Sequence, residues 1–233
     1  MTILYNYSKE SNINKNSFLI VGEPPQIIYP NIFKMENYKE INNYKVENEY
    51  LNFFSKVSHY ISWSIEINKI SFNNRNINNN SYIGVFYLDY IPFLLPIKLF
   101  NAYIDTYLMT YINNNVCYKK GRPLSRKYTH SVDKDKSQIF IFVYCEKNNI
   151  QNISKFYNSM PVLKFRNELL NKTFEFSSQE LFVEENDGIY LMLIPDMFNK
   201  MKITFGKIFM EKYHFTFNYD SNKIGFYDCI INI

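Results

Sequence analysis

Four groups of residues in this 233-residue chain are of types that could do chemistry: three cysteines, three histidines, a pair of isolated aspartates and one run of cations. Histidine catalysis needs a carboxylate or a thiol within hydrogen-bond reach of the imidazole, and His59, His130 and His214 fall on different predicted elements with no such neighbour in sequence. Cys117, Cys145 and Cys229 include no pair at metal-ligand spacing, so neither a metal nor a cofactor is expected. Cys117 and Cys145 could close a loop, a cross-link that would stabilise by roughly 3 to 4 kcal/mol in an oxidising compartment. Cys229 is then unpaired, or paired with another chain. Asp89, three residues before Pro92, reads as a solvated turn residue, Asp105 as the solvent face of a helix, and Tyr87 as a core tyrosine. The cations cluster only at Lys119 to Lys127 (KKGRPLSRK), which reads as a solvated loop. Elsewhere Lys and Arg alternate with Glu and Asp, so the net charge of +4 does not point to a nucleic-acid partner.

The elements that must position these groups are mostly strands. The chain holds 21 Tyr and 21 Phe against six Gly and eight Pro, a balance that favours β-structure. No apolar run approaches the roughly 18 residues of a membrane span. Residues 1–16 are expected to be a disordered or extended segment without the pattern of a secretory signal. Ser17 to Gly22 reads as a buried-type strand, and His59 to Phe72 as one strand with a register shift around the lone Trp63. Residues 34–58 carry no clear pattern. Tyr82 opens an apolar strand that runs into a Pro-bounded turn, after which Ile97 to Leu108 has helical spacing. Lys136 to Cys145 reads as a strand and residues 146–160 as a polar connector. Short strands follow at Pro161 to Phe165, Lys172 to Phe176 and Leu181 to Val183, and an Asn186-Asp187-Gly188 turn leads into Ile189 to Pro195. By its own pattern, Ile203 to Tyr227 is two β-runs joined by the polar turn Asp220-Ser221-Asn222-Lys223. Frequent Asn, as in residues 73–80, reads as surface-loop bias, and the sequons at Asn6, Asn79, Asn152 and Asn171 are close to chance in such a composition. The expected fold class is all-β, mainly antiparallel, with a few short helices.

That last stretch also resembles the end of the second lobe of pepsin-like aspartic peptidases. There a glycine after apolar residues opens a short helical turn, and a strand ending in aspartate, a turn and an I/V-G-F strand follow. The matching residues are Thr204-Phe205-Gly206, Ile208 to Tyr213, Phe215 to Asp220 and Ile224-Gly225-Phe226. The strand at Ser17 to Gly22 with Pro25, Tyr29-Pro30 and Phe33 is similar to the segment that connects the two lobes of that family. Leu95-Pro96 and the LFNA that follows are similar to the family's helix entry. The resemblance extends from about Ser17 to Tyr227. It implies a single pepsin-like C-terminal lobe over residues 17–229, a tail at 230–233, and a disulfide between Cys117 and Cys145.

The same resemblance makes the segment before Pro96 the place to look for catalysis. An active lobe carries Asp-Thr/Ser-Gly there, because two carboxylates must share one proton and only a glycine and a small hydroxyl residue let their backbones approach. Counting back from Pro96 puts Tyr87 at the aspartate position, with Tyr87-Leu88-Asp89-Tyr90 in place of the signature. A two-residue shift brings Asp89 there instead, as a remnant, and restores neither glycine nor hydroxyl. Tyr87 could then plug the vacated cleft. No D-T-G or D-S-G occurs anywhere in the chain, and a whole pepsin-like enzyme has about twice this length. The family reading is therefore a non-catalytic second lobe that acts by binding a protein or peptide. One alternative is the back half of an aspartic endopeptidase, partnered by a separate first-lobe chain. Another is a structural subunit of a larger assembly. The family implies a secretory or endomembrane compartment.

Overall fold

The structure is a computed structural model that describes residues 2–5, 17–20, 25–28, 30–31, 33–44, 63–78, 80–87, 92–123, 139–186, 188–197 and 199–227. Four sheets carry the fold, and most pairings in them are antiparallel. The first contains β1 (Thr2–Tyr5), β2 (Ser17–Ile20), β3 (Tyr38–Asn42), β17 (Phe215–Asn218) and β18 (Lys223–Tyr227), in the order β2-β1-β17-β18-β3. A second holds β4 (Ser64–Ile67), β7 (Tyr82–Phe86), β8 (Phe93–Pro96), β15 (Leu193–Asp196) and β16 (Lys202–Phe205), in the order β15-β8-β16-β7-β4. The third joins β5 (Lys69–Phe72), β6 (Arg75–Asn76), β11 (Leu163–Asn167) and β12 (Lys172–Phe176). The fourth joins β9 (Cys117–Pro123), β10 (Ile139–Cys145), β13 (Phe182–Glu184) and β14 (Ile189–Leu191).

Short helices connect them: α1 (Pro25–Ile28), α2 (Ile97–Tyr103), α3 (Met109–Asn113), α4 (Ile153–Ser159), α5 (Ser178–Leu181) and α6 (Lys207–Lys212). A π-helical turn over Ile104–Leu108 fuses α2 and α3 into one continuous helical segment, which buries Leu99, Phe100, Tyr103, Ile104 and Leu108. The all-β class with a few short helices is the observed one.

Two apolar runs that read as single strands are each split between sheets. The run around Trp63 breaks at Asn68, so β4 pairs with β7 while β5 pairs with β11. What reads as a register shift is a corner. Asn167, fully buried beside it, donates its side-chain amide to the Glu66 carbonyl and accepts from Leu170 N–H, each at 2.7 Å. Asn68 accepts from Glu168 N–H at 2.8 Å. Two side-chain amides, one buried and one half-buried, thus satisfy backbone groups at the corner. In the same way Ile189 to Pro195 divides at Met192 into β14 and β15. The run from Ile189 to Ile194 and the neighbouring β10 are apolar throughout because both faces are covered: Val143, Cys145, Leu191 and Leu193 enter the main core, while Phe142, Tyr144, Tyr190 and Ile194 enter a smaller one.

Three further expectations are corrected. The 146–160 connector contains α4, whose N-cap Asn152 accepts from Lys155 N–H at 2.8 Å and whose Phe156 and Tyr157 are buried. The unpatterned 34–58 stretch supplies β3, a strand whose side chains are only half-buried or exposed and so leave no apolar signal. The alternation after Gly206 belongs to α6 at first, since Lys207–Lys212 is helical, and Tyr213, the extended residue after it, sets its ring 5.5 Å from that of Phe209. At the N-terminus, Thr2–Tyr5 is extended and already part of the first sheet.

Asparagine has a structural use that composition conceals. Among the described residues, the four non-glycine residues with positive φ are Asn73, Asn115, Asn171 and Asn222, at φ 53°, 55°, 49° and 52°. Three of them sit in the β5–β6, β11–β12 and β17–β18 turns and the fourth follows α3. With only six glycines in the chain, asparagine supplies the left-handed residues that tight turns need.

Two buried side-chain polar atoms lack a partner among the described residues, the Tyr103 hydroxyl and His214 Nδ1. Tyr103 is fully buried, and its ring packs against those of Phe72 and Tyr107 with centroids 5.3 and 5.7 Å away. Burial pushes its phenol far above the ordinary value. Tyr103→Phe removes that desolvated hydroxyl and keeps the ring, and is expected to raise stability by about 1 kcal/mol, read from the urea midpoint.

Candidate functional site

The second sheet is built around a crossing. β7 and β8 follow each other in the chain yet do not pair, because β16 lies between them, parallel to β7 and antiparallel to β8. The two strands joined by the connection therefore flank β16. The Tyr87 N–H donates to the Phe205 carbonyl at 2.9 Å, and the Phe93 N–H to the Met192 carbonyl at 2.9 Å, so both feet of the connection are fixed. Gly206 follows at once and opens α6.

Close approach holds the first foot. A Cβ on Gly84 would lie 2.2 Å from the Phe205 ring, so that ring covers β7 where only glycine leaves room. The second foot is gripped by aromatics, since Phe93 is fully buried with Phe176 at 4.9 Å, Phe165 at 5.7 Å and Phe205 at 6.1 Å. Phe205 in turn stacks on Phe209 at 4.0 Å. A block of packed aromatic rings thus holds both ends of the connection.

Tyr87 stands where that connection begins, and 45% of it is exposed. It is neither a core residue nor a buried plug: it follows the last residue of β7, Phe86, and nearly half of it is open to solvent. Asp89 lies outside the described residues. From Tyr87 to Pro92 the sequence Tyr-Leu-Asp-Tyr-Ile-Pro contains no glycine and no small hydroxyl residue.

The other residues of chemical type are not brought to this connection as a set. Asp105 is exposed on the π-helical turn. His59 and His130 lie outside the described residues. His214 is 8% exposed just before β17, its Nδ1 has no partner among the described residues, and burial lowers its pKa to about 4. Among the described residues no group of three or more His, Cys, Asp or Glu is placed to hold a metal ion. An open depression of about 460 Å³, lined by Glu40, Asn43, Tyr44, Leu169 and Lys223, follows β3 on the first sheet and not the β7–β8 connection.

Cys117 and Cys145 form a disulfide, both fully buried and opposite each other in the β9–β10 ladder with Cα atoms 4.0 Å apart. It closes the base of a hairpin whose exposed Lys119 and Lys120 begin the basic cluster, with Lys120 Nζ 5.3 Å from the Tyr144 ring. Residues 124–138 of that hairpin are outside the described set. Replacing both cysteines with alanine is expected to cost about 3 kcal/mol, because a loop of 28 residues' separation is released in the unfolded chain. Denaturant titration of the double variant beside the parent chain measures it.

No protein-family profile matches the chain, and no curated protein matches it. Solved structures do. Conglutin gamma, a basic 7S globulin from lupine seeds, is similar at a TM-score of 0.56 and 11% identity, over 98% of this chain and 50% of that one. The basic 7S globulin from soybean is similar at a TM-score of 0.57 and 13% identity, over 97% and 50%. Both have the pepsin-like fold. This chain spans half the length of those proteins, and at such identity the likeness concerns the fold alone. Among the described residues no helix is long and apolar enough to cross a membrane.

Proposed function

We propose that this chain is one lobe of a pepsin-like body and acts by binding a protein or peptide, not by hydrolysing it. One observation carries the reading. At the end of β7, where an active lobe presents its aspartate, the chain presents Tyr87, half-exposed and tethered by its N–H to Phe205. A carboxylate dyad needs two acids close enough to share a proton, and glycine lets the loops approach. Bulky side chains around Asp89 oppose that approach. An exposed tyrosine on a rigid aromatic base is instead a good contact for a ligand, since it offers area at small entropic cost. The disulfide suits an oxidising compartment.

The test has two arms. Purified chain is incubated with a denatured protein substrate from acid to neutral pH, with and without pepstatin, beside Asp89→Asn. No pepstatin-sensitive cleavage is expected, and cleavage that Asp89→Asn abolishes would sink the proposal. In the second arm an immobilised set of extended peptides is screened, and the lone Trp63 reports binding. Its carbonyl accepts the Phe86 N–H, one residue from Tyr87. Tyr87→Ser should weaken any captured peptide about tenfold or more.

A second reading is favoured by the half-length match to the solved neighbours. In it the chain is the back half of an endopeptidase whose first lobe is a separate polypeptide. Peptidase activity on mixing the two lobes, absent from either alone, would select this reading.

A further inference from the structure

Two of the four sequons, Asn152-Ile153-Ser154 and Asn171-Lys172-Thr173, fall wholly among the described residues, and the fold treats their asparagines alike. Both are exposed at the end of an element. Asn152 Oδ1 caps α4 by accepting from Lys155 N–H at 2.8 Å, and Asn171 Oδ1 accepts from the Arg166 guanidinium at the β11–β12 turn. The other terminal nitrogen of Arg166 donates to Thr173 Oγ1 at 3.3 Å. In both asparagines only the oxygen is engaged, and Nδ2 donates to no described residue. Asn43, Asn78, Asn149, Asn167 and Asn199 differ, because each donates a hydrogen bond through Nδ2. None of those five stands in a sequon.

We infer that Asn152 and Asn171 are acceptor sites for N-linked oligosaccharides. Composition makes sequons common in this chain, and the unused Nδ2 is what singles these two out. The sugar is joined through that nitrogen and leaves the amide oxygen able to accept, so the α4 cap and the Arg166 bridge both survive the modification. In the transfer, Nδ2 attacks the anomeric carbon of a lipid-linked oligosaccharide pyrophosphate. The new C–N bond replaces the C–O bond to the lipid pyrophosphate, which departs with the electron pair, and the displaced amide proton passes to a base of the membrane-bound transferase. No oxidant or reductant enters. The reaction belongs to a secretory compartment, which the buried Cys117–Cys145 disulfide also suits. Leu169, 72% exposed two residues before Asn171, gives the site a use: an oligosaccharide there adds hydrophilic, solubilising bulk beside bare apolar surface. Neither asparagine belongs to the β7–β8 connection, so the inference stands apart from the ligand reading.

Site-resolved mass spectrometry tests it on the full 233-residue chain, expressed behind a cleavable secretion leader in a eukaryotic host. An amidase that removes N-linked glycans in heavy-oxygen water converts each occupied asparagine to labelled aspartate. Label is expected at Asn152 and Asn171 in secreted and cell-retained chains alike, since transfer precedes folding, and in chains whose Cys117–Cys145 disulfide is formed. Ser154→Ala and Thr173→Ala should each remove one glycan, and its step in gel mobility, while leaving the asparagine and its own hydrogen bond in place. Thr173→Ser should keep the glycan, which a purely structural role for Thr173 does not predict. A position unlabelled in both fractions is an incidental sequon, and its assignment falls. Label confined to chains without the disulfide also overturns the inference, because the folded surface would then not carry the sugar. Occupied sites on a chain that captures no peptide would refute the ligand reading and leave this one standing.

Discussion

Phe209→Ala is expected to cost about 3 to 5 kcal/mol, enough to take most of the stability of an ordinary domain. Phe209 is fully buried on α6 and stacks on Phe205 with ring centroids 4.0 Å apart. Phe174 at 5.0 Å, Phe176 at 5.3 Å, and Tyr213 and Phe215 at 5.5 Å complete its surroundings, with Phe86 at 5.8 Å. These rings come from the first three sheets and from α6, so one truncation opens a cavity that they share. Rings held by several strands cannot all collapse into it, and the cavity term adds to the lost transfer energy. Phe209→Leu should recover more than half of the loss. Urea midpoints of the three proteins give the comparison, and a loss near 1 kcal/mol for the alanine variant would mean that the block relaxes around the hole.

Mild acid is expected to destabilise the protein through His214. Its folded pKa of about 4 lies below the ordinary 6.5, because burial disfavours the imidazolium and its Nδ1 has no partner among the described residues. Above pH 6.5 the side chain is neutral in both states and contributes no pH dependence. As pH falls below 6.5 the unfolded chain takes up a proton that the folded chain refuses, so stability drops by up to about 1.4 kcal/mol per pH unit. The loss approaches roughly 3 kcal/mol near pH 4, where folded His214 begins to protonate. Glu184 acts only lower on the scale. Its hydrogen bonds from Lys147 and Tyr157 hold its pKa below the ordinary 4.5, so its contribution is present above that value and fades beneath it. The slope between pH 6.5 and 4.5 is therefore assigned to His214, and His214→Phe should flatten it. Melting temperatures of both proteins across that window measure the difference.

Much of the fold is legible in the residues. Strong β-formers place β7, β10, β11 and β12 near their observed positions. Leu95-Pro96 marks the entry to α2, because proline sits readily at a helix start. Gly206 and the aromatic run after it mark β16, α6 and β17 through the pepsin-like pattern, although the alternation alone suggests a strand where α6 lies. Cys117 and Cys145 pair as that pattern implies. Less visible were β3 and α4. Half-exposed side chains give β3 no apolar stripe, while α4 is specified by the Asn152 cap and two buried aromatics in a stretch that reads as polar.

The candidate site was legible only as a loss. Tyr-Leu-Asp-Tyr in place of an Asp-Thr/Ser-Gly can be read directly, and it places Tyr87 at the aligned position. Its exposure could not be read, since a tyrosine after an apolar strand fits core and surface equally well. That depends on where β7 ends relative to β16, a contact 118 residues distant in sequence (Tyr87 N–H to Phe205). Gly84 is similar, because its need for an absent side chain comes from a ring across the sheet.

The sequence by itself determined the strongest strands, the two ends of the β7–β8 connection, and the absence of a catalytic signature between them, because these rest on local propensity, proline and glycine chemistry and residue identity. Tertiary structure alone decided that β4 and β5 turn a corner at Asn68, that Tyr87 faces outward, that His214 is buried uncharged, and that β1 and β2 join β17 in one sheet. The physical reason is common to all four. Burial, corner turning and strand neighbours are set by contacts between residues far apart in the chain, and a period-2 pattern records which side of a strand is apolar without recording what covers it.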